Sequence, residues 1–306
     1  MMTTNLTKPI SKKLLIGMLV VVFGAEILLY LNRFSYLAGT LYDAVMVASL
    51  FIGIKLHRRL TPQQEQGPCK TKRQKVLQFT GAFLIFFLGS TVINIYSSMT
   101  FDDFNSDYDQ YVQTYTDTQT YQEEEKGTTE TTESKFWSYM DKIDTIGADL
   151  YTDALAGLEE IWRLAYMIII LAVFKKLFPK RWESGSRDVF LMVALFWTSL
   201  FFGIDHTLDT EQAWTVKIGS IVTFANMGFL FGIILLWTRN LWLTVLVHSL
   251  YDITATLSWY YIDYAVELFA GGLMVVHMIL FLLEKLAQKR VHNTQLDQTE
   301  AAQIIE

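Results

Sequence analysis

Glu159, Glu160, His206, His248 and Asp252 lie inside, or at the edge of, stretches apolar enough to span a bilayer. Ionisable groups there are costly, and they face a bundle interior or a wet cavity rather than lipid. Carboxylates and imidazoles are also the usual partners in general acid–base chemistry. The residue types therefore point to a buried hydrolytic site in a membrane protein.

Three short motifs carry these residues. The first is Glu159-Glu160-Ile161-Trp162-Arg163. Two adjacent carboxylates are not both cheaply ionised in a low-dielectric setting, so one is paired or protonated, and such a group suits a general acid or base. Arg163 can share a helical face with either glutamate, and the alternative is a structural Glu–Arg pair that fixes packing. The second motif runs from Phe202 to His206, which are four apart and so on one face. A histidine there can take a proton from water and return it to a leaving amine, or simply hydrogen-bond a carbonyl at the interface. The third pairs His248 with Asp252, again four apart. That pair could bind a metal, orient a base, stabilise an oxyanion, or only lock a polar seam between helices.

The elements that must position these groups are helices. The chain has 306 residues, 52% of them hydrophobic and only 18% charged. A spanning helix needs about 20 apolar residues, and about eight stretches qualify: 14–32, 35–54, 76–97, 150–174, 188–208, 214–237, 240–259 and 264–283. The expected fold is all-α, a polytopic transmembrane bundle. Residues 1–97 supply three helices and a basic loop, 98–147 an acidic extracytoplasmic loop, 148–285 the motif-bearing bundle, and 286–306 a polar tail. The aromatic run Phe136, Trp137, Tyr139 and Met140 reads as an interfacial lead-in to the fourth span.

Charge sets the orientation. Residues 55–75 hold Lys55, Arg58, Arg59, Lys70, Lys72, Arg73 and Lys75 against a single acid, Glu65. Residues 101–146 hold twelve acids against Lys126, Lys135 and Lys142. With eight spans, every basic loop falls on one side, which predicts a multi-pass cell-membrane protein with both termini cytoplasmic. Positive-inside topology accounts for the basic run, so no nucleic-acid partner is expected; the expected surroundings are the lipid bilayer. Cys69 is the sole cysteine, which excludes intrachain disulfides and cysteine-rich metal sites. The lysines before the first apolar run resemble a signal peptide, but that run is long and has no small-x-small cleavage site, so a retained helix is expected. Glu26 and Asp43, in the first two spans, could face each other or line a polar path. His277 has no evident sequence partner and reads as packing.

In this order and on separate spans, the three motifs resemble those of the CPBP family, the CAAX-processing and bacteriocin-processing intramembrane proteases also known as the Abi family. Its pattern is Glu-Glu-x-x-x-Arg, then Phe-x-x-x-His, then His-x-x-x-Asn/Asp, and the resemblance covers about 150–260. The chain departs once, reading Glu-Glu-x-x-Arg. Taking the glutamates as fixed, Arg163 must reach across the missing residue. The resemblance implies that Glu159 or Glu160, with His206, activates water for attack on a peptide bond. It implies that His248 and Asp252 stabilise the oxyanion, with Arg163 and Phe202 supporting. The implied substrate is a membrane-associated or secreted peptide or a membrane protein. No cofactor is expected, although Glu160, His206 and His248 would also suit zinc with an open position. Two other functions stay open: a bacteriocin-immunity or peptide-binding protein on the same scaffold, and a proton-coupled transporter, for which neither broken helices nor an inverted repeat is visible.

Overall fold

A computed structural model describes residues 2–60, 71–101, 135–208 and 213–305. The expectations for most of the acidic loop and for the basic loop around Cys69 lie outside the described residues. So do those for the side chains of 135–142 and of the tail after 289.

Every described element is a helix. They are α1 (Met2–Leu6), α2 (Lys12–Asn32), α3 (Tyr36–Leu60), α4 (Lys72–Thr100), α5 (Lys135–Ala156), α6 (Glu159–Leu177), α7 (Pro179–Glu183), α8 (Arg187–Asp205), α9 (Trp214–Thr238), α10 (Leu241–Tyr260) and α11 (Ala265–Ile305). Six of them are long and apolar enough to cross a membrane: α2, α3, α4, α8, α9 and the part of α11 up to Lys289. The two further spans expected from sequence correspond to α6 and α10. Their windows are diluted by the residues that make them interesting: Glu159, Glu160, Arg163, Lys175 and Lys176 on α6, and His248, Ser249 and Asp252 on α10.

Two boundaries differ from expectation. The apolar run from 150 to 174 is not one helix, because α5 ends at Ala156 and α6 begins at Glu159. Gly157 sits in the break against α10, where a Cβ would collide with the Ser249 hydroxyl and the Val245 carbonyl oxygen. Only a residue without a side chain permits that approach. Ser249 also donates to the Ala154 carbonyl at 2.9 Å, pinning the end of α5 to α10. The second difference is at the C-terminus, where α11 runs beyond the expected span end at 283 and continues to Ile305 through the polar tail.

The interior has two apolar cores. Met18 and Val22 of α2, Leu56 of α3, Ile161 and Leu164 of α6 and Leu195 of α8 belong to the first. Phe83 and Phe86 of α4, Phe231 and Ile234 of α9 and Val247 of α10 belong to the second. The outward faces are apolar as well: Ile16, Val20, Phe23 and Ile27 on α2, and Val275, Met278, Ile279 and Leu282 on α11, are all exposed. Apolar residues on both the inner and outer faces are what a bundle bathed in lipid requires.

Cations gather at one end of the bundle. Arg59, closing α3, donates to the carbonyls of Leu6, Lys8 and Pro9 at 3.1, 2.8 and 3.0 Å. Lys175, near the end of α6, reaches the Thr7 carbonyl at 3.3 Å. Arg187, opening α8, holds the Trp182 carbonyl at 2.9 Å and the Thr4 hydroxyl at 3.0 Å. Gln78 of α4 donates to the Thr238 carbonyl at 3.4 Å, and Arg73 pairs with Glu284 of α11 at 3.8 Å. The segments assigned to one side by charge are thus neighbours in space, and the motif residues lie away from them.

Candidate active site

The break at Gly157 makes Glu159 and Glu160 the first two residues of α6. Leu158 offers no side-chain cap there, and the turn is closed by Glu160 N–H donating to the Gly157 carbonyl and Ile161 N–H to that of Leu158. A carboxylate in a first turn is favoured by the unpaired N–H groups and the helix dipole. Adjacent residues on a helix point about 100° apart. The two glutamates therefore go to different places.

Glu160 is fully buried. Its Oε1 forms an ion pair with Arg163 Nη2 at 3.2 Å and accepts from His248 Nδ1 at 3.1 Å. The other nitrogen of His248, Nε2, lies 3.3 Å from Asp252 Oδ2. A line of alternating groups thus runs from Arg163 through Glu160 and His248 to Asp252, linking α6 to α10. The i,i+3 reach of Arg163 shows how the shortened spacing still forms an ion pair. Arg163 also donates to the Gly228 carbonyl, and its guanidinium lies 4.2 Å from the centroid of Phe202. Gly228 is close to both partners: a Cβ there would sit 2.9 Å from Phe202 Cδ1 and 3.2 Å from Arg163 Nη1.

Glu159 is only partly buried and opens on a cavity that His206 also lines. His206 caps the end of α8, with Nδ1 held 2.8 Å from the Phe202 carbonyl. A carbonyl only accepts, so Nδ1 carries the hydrogen and Nε2 of a neutral ring keeps its lone pair. The imidazole is steadied by Phe224, stacked at 4.2 Å, and by Phe202 at 4.4 Å. Phe202 stands between the two halves of the site, since its ring centroid is also 5.8 Å from that of His248. Phe231 stacks on His248 at 4.3 Å.

The residues expected as a metal set are not gathered as one. Both nitrogens of His248 already face carboxylates, and Nδ1 of His206 is spent on a carbonyl. Among the described residues no three His, Cys, Asp or Glu side chains are grouped as a metal ion would need.

Several contributors carry no sequence motif. The Gly228 carbonyl and Phe231 belong to a Gly-x-x-x-Gly stretch on α9, a spacing that marks close helix contact. Glu26 and Asp43 both line the cavity, and Glu26 accepts from Tyr166 at 2.9 Å. His277 does have a partner, Thr80 of α4, 2.8 Å from its Nδ1.

This geometry coincides with a segment that matches a known family. Residues 157–254, from the break before Glu159 to just past Asp252, match a family described as type II CAAX prenyl endopeptidase Rce1-like. The match is to a family of the CPBP type and covers about a third of the chain. Helices α2, α3 and α4 lie outside the matched segment. No curated protein and no solved structure matches the chain.

Proposed function

We propose that the chain is an intramembrane endopeptidase in which Glu159 is the base that activates water. The observation carrying this reading is the division of labour between the two glutamates. Glu160 is committed to Arg163 and His248, whereas Glu159 faces the cavity that His206 shares. A base must be reachable by water, and Glu159 is the more open carboxylate.

Water held between Glu159 and Nε2 of His206 would lose a proton to the carboxylate as its oxygen attacks the substrate carbonyl carbon. The carbonyl π electrons move onto oxygen. When the tetrahedral intermediate collapses, the C–N bond breaks and the proton passes to the departing amine, leaving a carboxylic acid and an amine. His248 would supply the oxyanion contact through Nε2–H. That hydrogen now points at Asp252, so the substrate oxygen must replace the Asp252 carboxylate. Asp252 is the more exposed end of the pair, with 29% side-chain exposure against 5% for His248. Asp252 then acts through His248, because an ionised carboxylate has no hydrogen to give an oxyanion. Should a metal take part, Glu159 and His206 are the groups with free donor atoms, and it would supply Lewis-acid activation of water.

The reading extends to an extracytoplasmic or membrane-embedded peptide substrate, with the basic end of the bundle cytoplasmic. A quenched-fluorescence peptide library presented to the full chain in lipid nanodiscs tests it. Cleavage should vanish in His206→Ala and fall roughly 10²–10³-fold in His248→Ala, as for loss of an oxyanion donor. Undiminished cleavage in both variants would overturn the assignment. Binding without cleavage would favour a peptide-binding or immunity role on the same scaffold.

A further inference from the structure

The cavity beside Glu159 is acidic beyond what hydrolysis needs. It encloses about 200 Å³ and is lined by four carboxyl groups, those of Glu26, Asp43, Glu159 and Asp205. Among the described residues Arg163 is the one cation on its wall, and its guanidinium is already engaged by Glu160, the Gly228 carbonyl and the Phe202 ring. Two of the acids come from the α2–α3 hairpin, outside the segment shared with the protease family. Glu26 and Asp205 line the same cavity, and carboxylates gathered in a low-dielectric space favour a cation among them.

A second observation points to an occupant. Trp162 also lines this cavity, is 7% exposed, and its indole Nε1–H has no hydrogen-bond partner among the described residues. A buried donor left unmatched is unusual and calls for an acceptor from a ligand. Tyr42 packs edge-on against Trp162 at 5.6 Å, so the wall beside the acids is aromatic. Aromatic faces next to carboxylates suit the alkyl stem and charged head of a long cationic side chain.

We propose that this cavity receives a lysine or arginine side chain of the substrate peptide, with Glu26 and Asp43 as specificity-determining residues. The inference rests on the endopeptidase reading and names its substrate class. The peptide would bring both things the wall lacks: a cation for the carboxylates and a backbone carbonyl for the Trp162 indole. A volume near 200 Å³ is below the roughly 300–1,000 Å³ of pockets for drug-sized ligands, and it fits a single side chain.

The test separates binding from cleavage. A fluorescein-labelled decapeptide with one central arginine is compared with its citrulline twin, which keeps the shape and loses the charge. Anisotropy is read against the full chain in zwitterionic nanodiscs, with empty nanodiscs as control. The arginine peptide should bind about tenfold or more tightly than its twin, as a charge-assisted contact in low dielectric predicts. Glu26→Gln with Asp43→Asn should erase that preference and leave citrulline-peptide binding unchanged. Equal binding of the two peptides to the wild-type protein, or no binding of either, overturns the proposal without recourse to any variant. So does a preference that survives in the folded double variant. Selective binding with neither peptide cut would uphold the cationic subsite while rejecting the endopeptidase.

Discussion

Exchanging each glutamate for glutamine separates chemistry from architecture. Glu160 is fully buried and bonded through one oxygen to both Arg163 and His248. Removing its charge leaves two buried basic groups facing an amide. Breaking a buried pair by deleting one partner costs about 3–5 kcal/mol. Glutamine keeps a carbonyl acceptor for one of the two donors, so about 2–4 kcal/mol is expected for Glu160→Gln. At about 2–4 °C per kcal/mol for chains somewhat smaller than this one, that is a fall of roughly 4–16 °C in the unfolding midpoint. Glu159 forms no part of that ion-pair line and is only partly buried. Glu159→Gln should shift the midpoint by no more than about 1–2 °C, in keeping with substitutions outside packed networks. Its turnover should fall by about 10²–10⁴-fold, the usual contribution of a positioned base. The two readouts are thermal unfolding in one detergent and initial cleavage rates at matched protein level. A Glu159→Gln protein that still cuts, beside an unshifted Glu160→Gln protein that does not, would refute the division of roles.

Three other outcomes follow from particular contacts. Asp252→Asn should retain or raise cleavage, because an amide can donate to an oxyanion and releases Nε2 of His248 more readily; loss of turnover in the stably folded variant would count against the displacement step. Gly157→Ala should lower the unfolding midpoint by several degrees and reduce turnover, since a Cβ collides with Ser249 and Val245 of α10, and trimming Ser249 to glycine in the same chain should recover part of the loss. Cys69 should resist an impermeant thiol reagent in intact cells and react after permeabilisation; ready labelling of intact cells would invert the orientation drawn from charge.

Much of the scaffold is legible in the linear pattern because lipid imposes a simple rule: a span must be apolar for about 20 residues. The rule weakens where the molecule is not facing lipid. Helices α6 and α10 fall below the apolar criterion because Glu160, Arg163, His248 and Asp252 sit on them, and those groups are tolerated because they satisfy one another. The break before Glu159 was hidden for the opposite reason. Glycine inside an apolar run is commonplace in membrane helices, and nothing local distinguishes Gly157 from Gly24 or Gly219. Its role is fixed by Ser249, far away in sequence. The partner of His277 was equally out of reach, because Thr80 is 197 residues earlier.

The motif order made the candidate site legible, but not which glutamate does what. That answer depends on where α6 starts. Were α5 and α6 one continuous helix, both carboxylates would sit mid-span, with backbone N–H groups spent on intrahelical bonds. Starting the helix at Glu159 sets both carboxylates at the positive end of its dipole and lets the first of them reach the cavity. The same break turns Glu160 inward to Arg163 and His248, which spends the arginine that would otherwise neutralise the cavity wall. An acidic cavity and a rigid charged line behind it are thus two results of one helix boundary. In the proposed reading, hydrolysis would draw on both, through Glu159 in the cavity and His248 on the line, and selection of the peptide on the cavity.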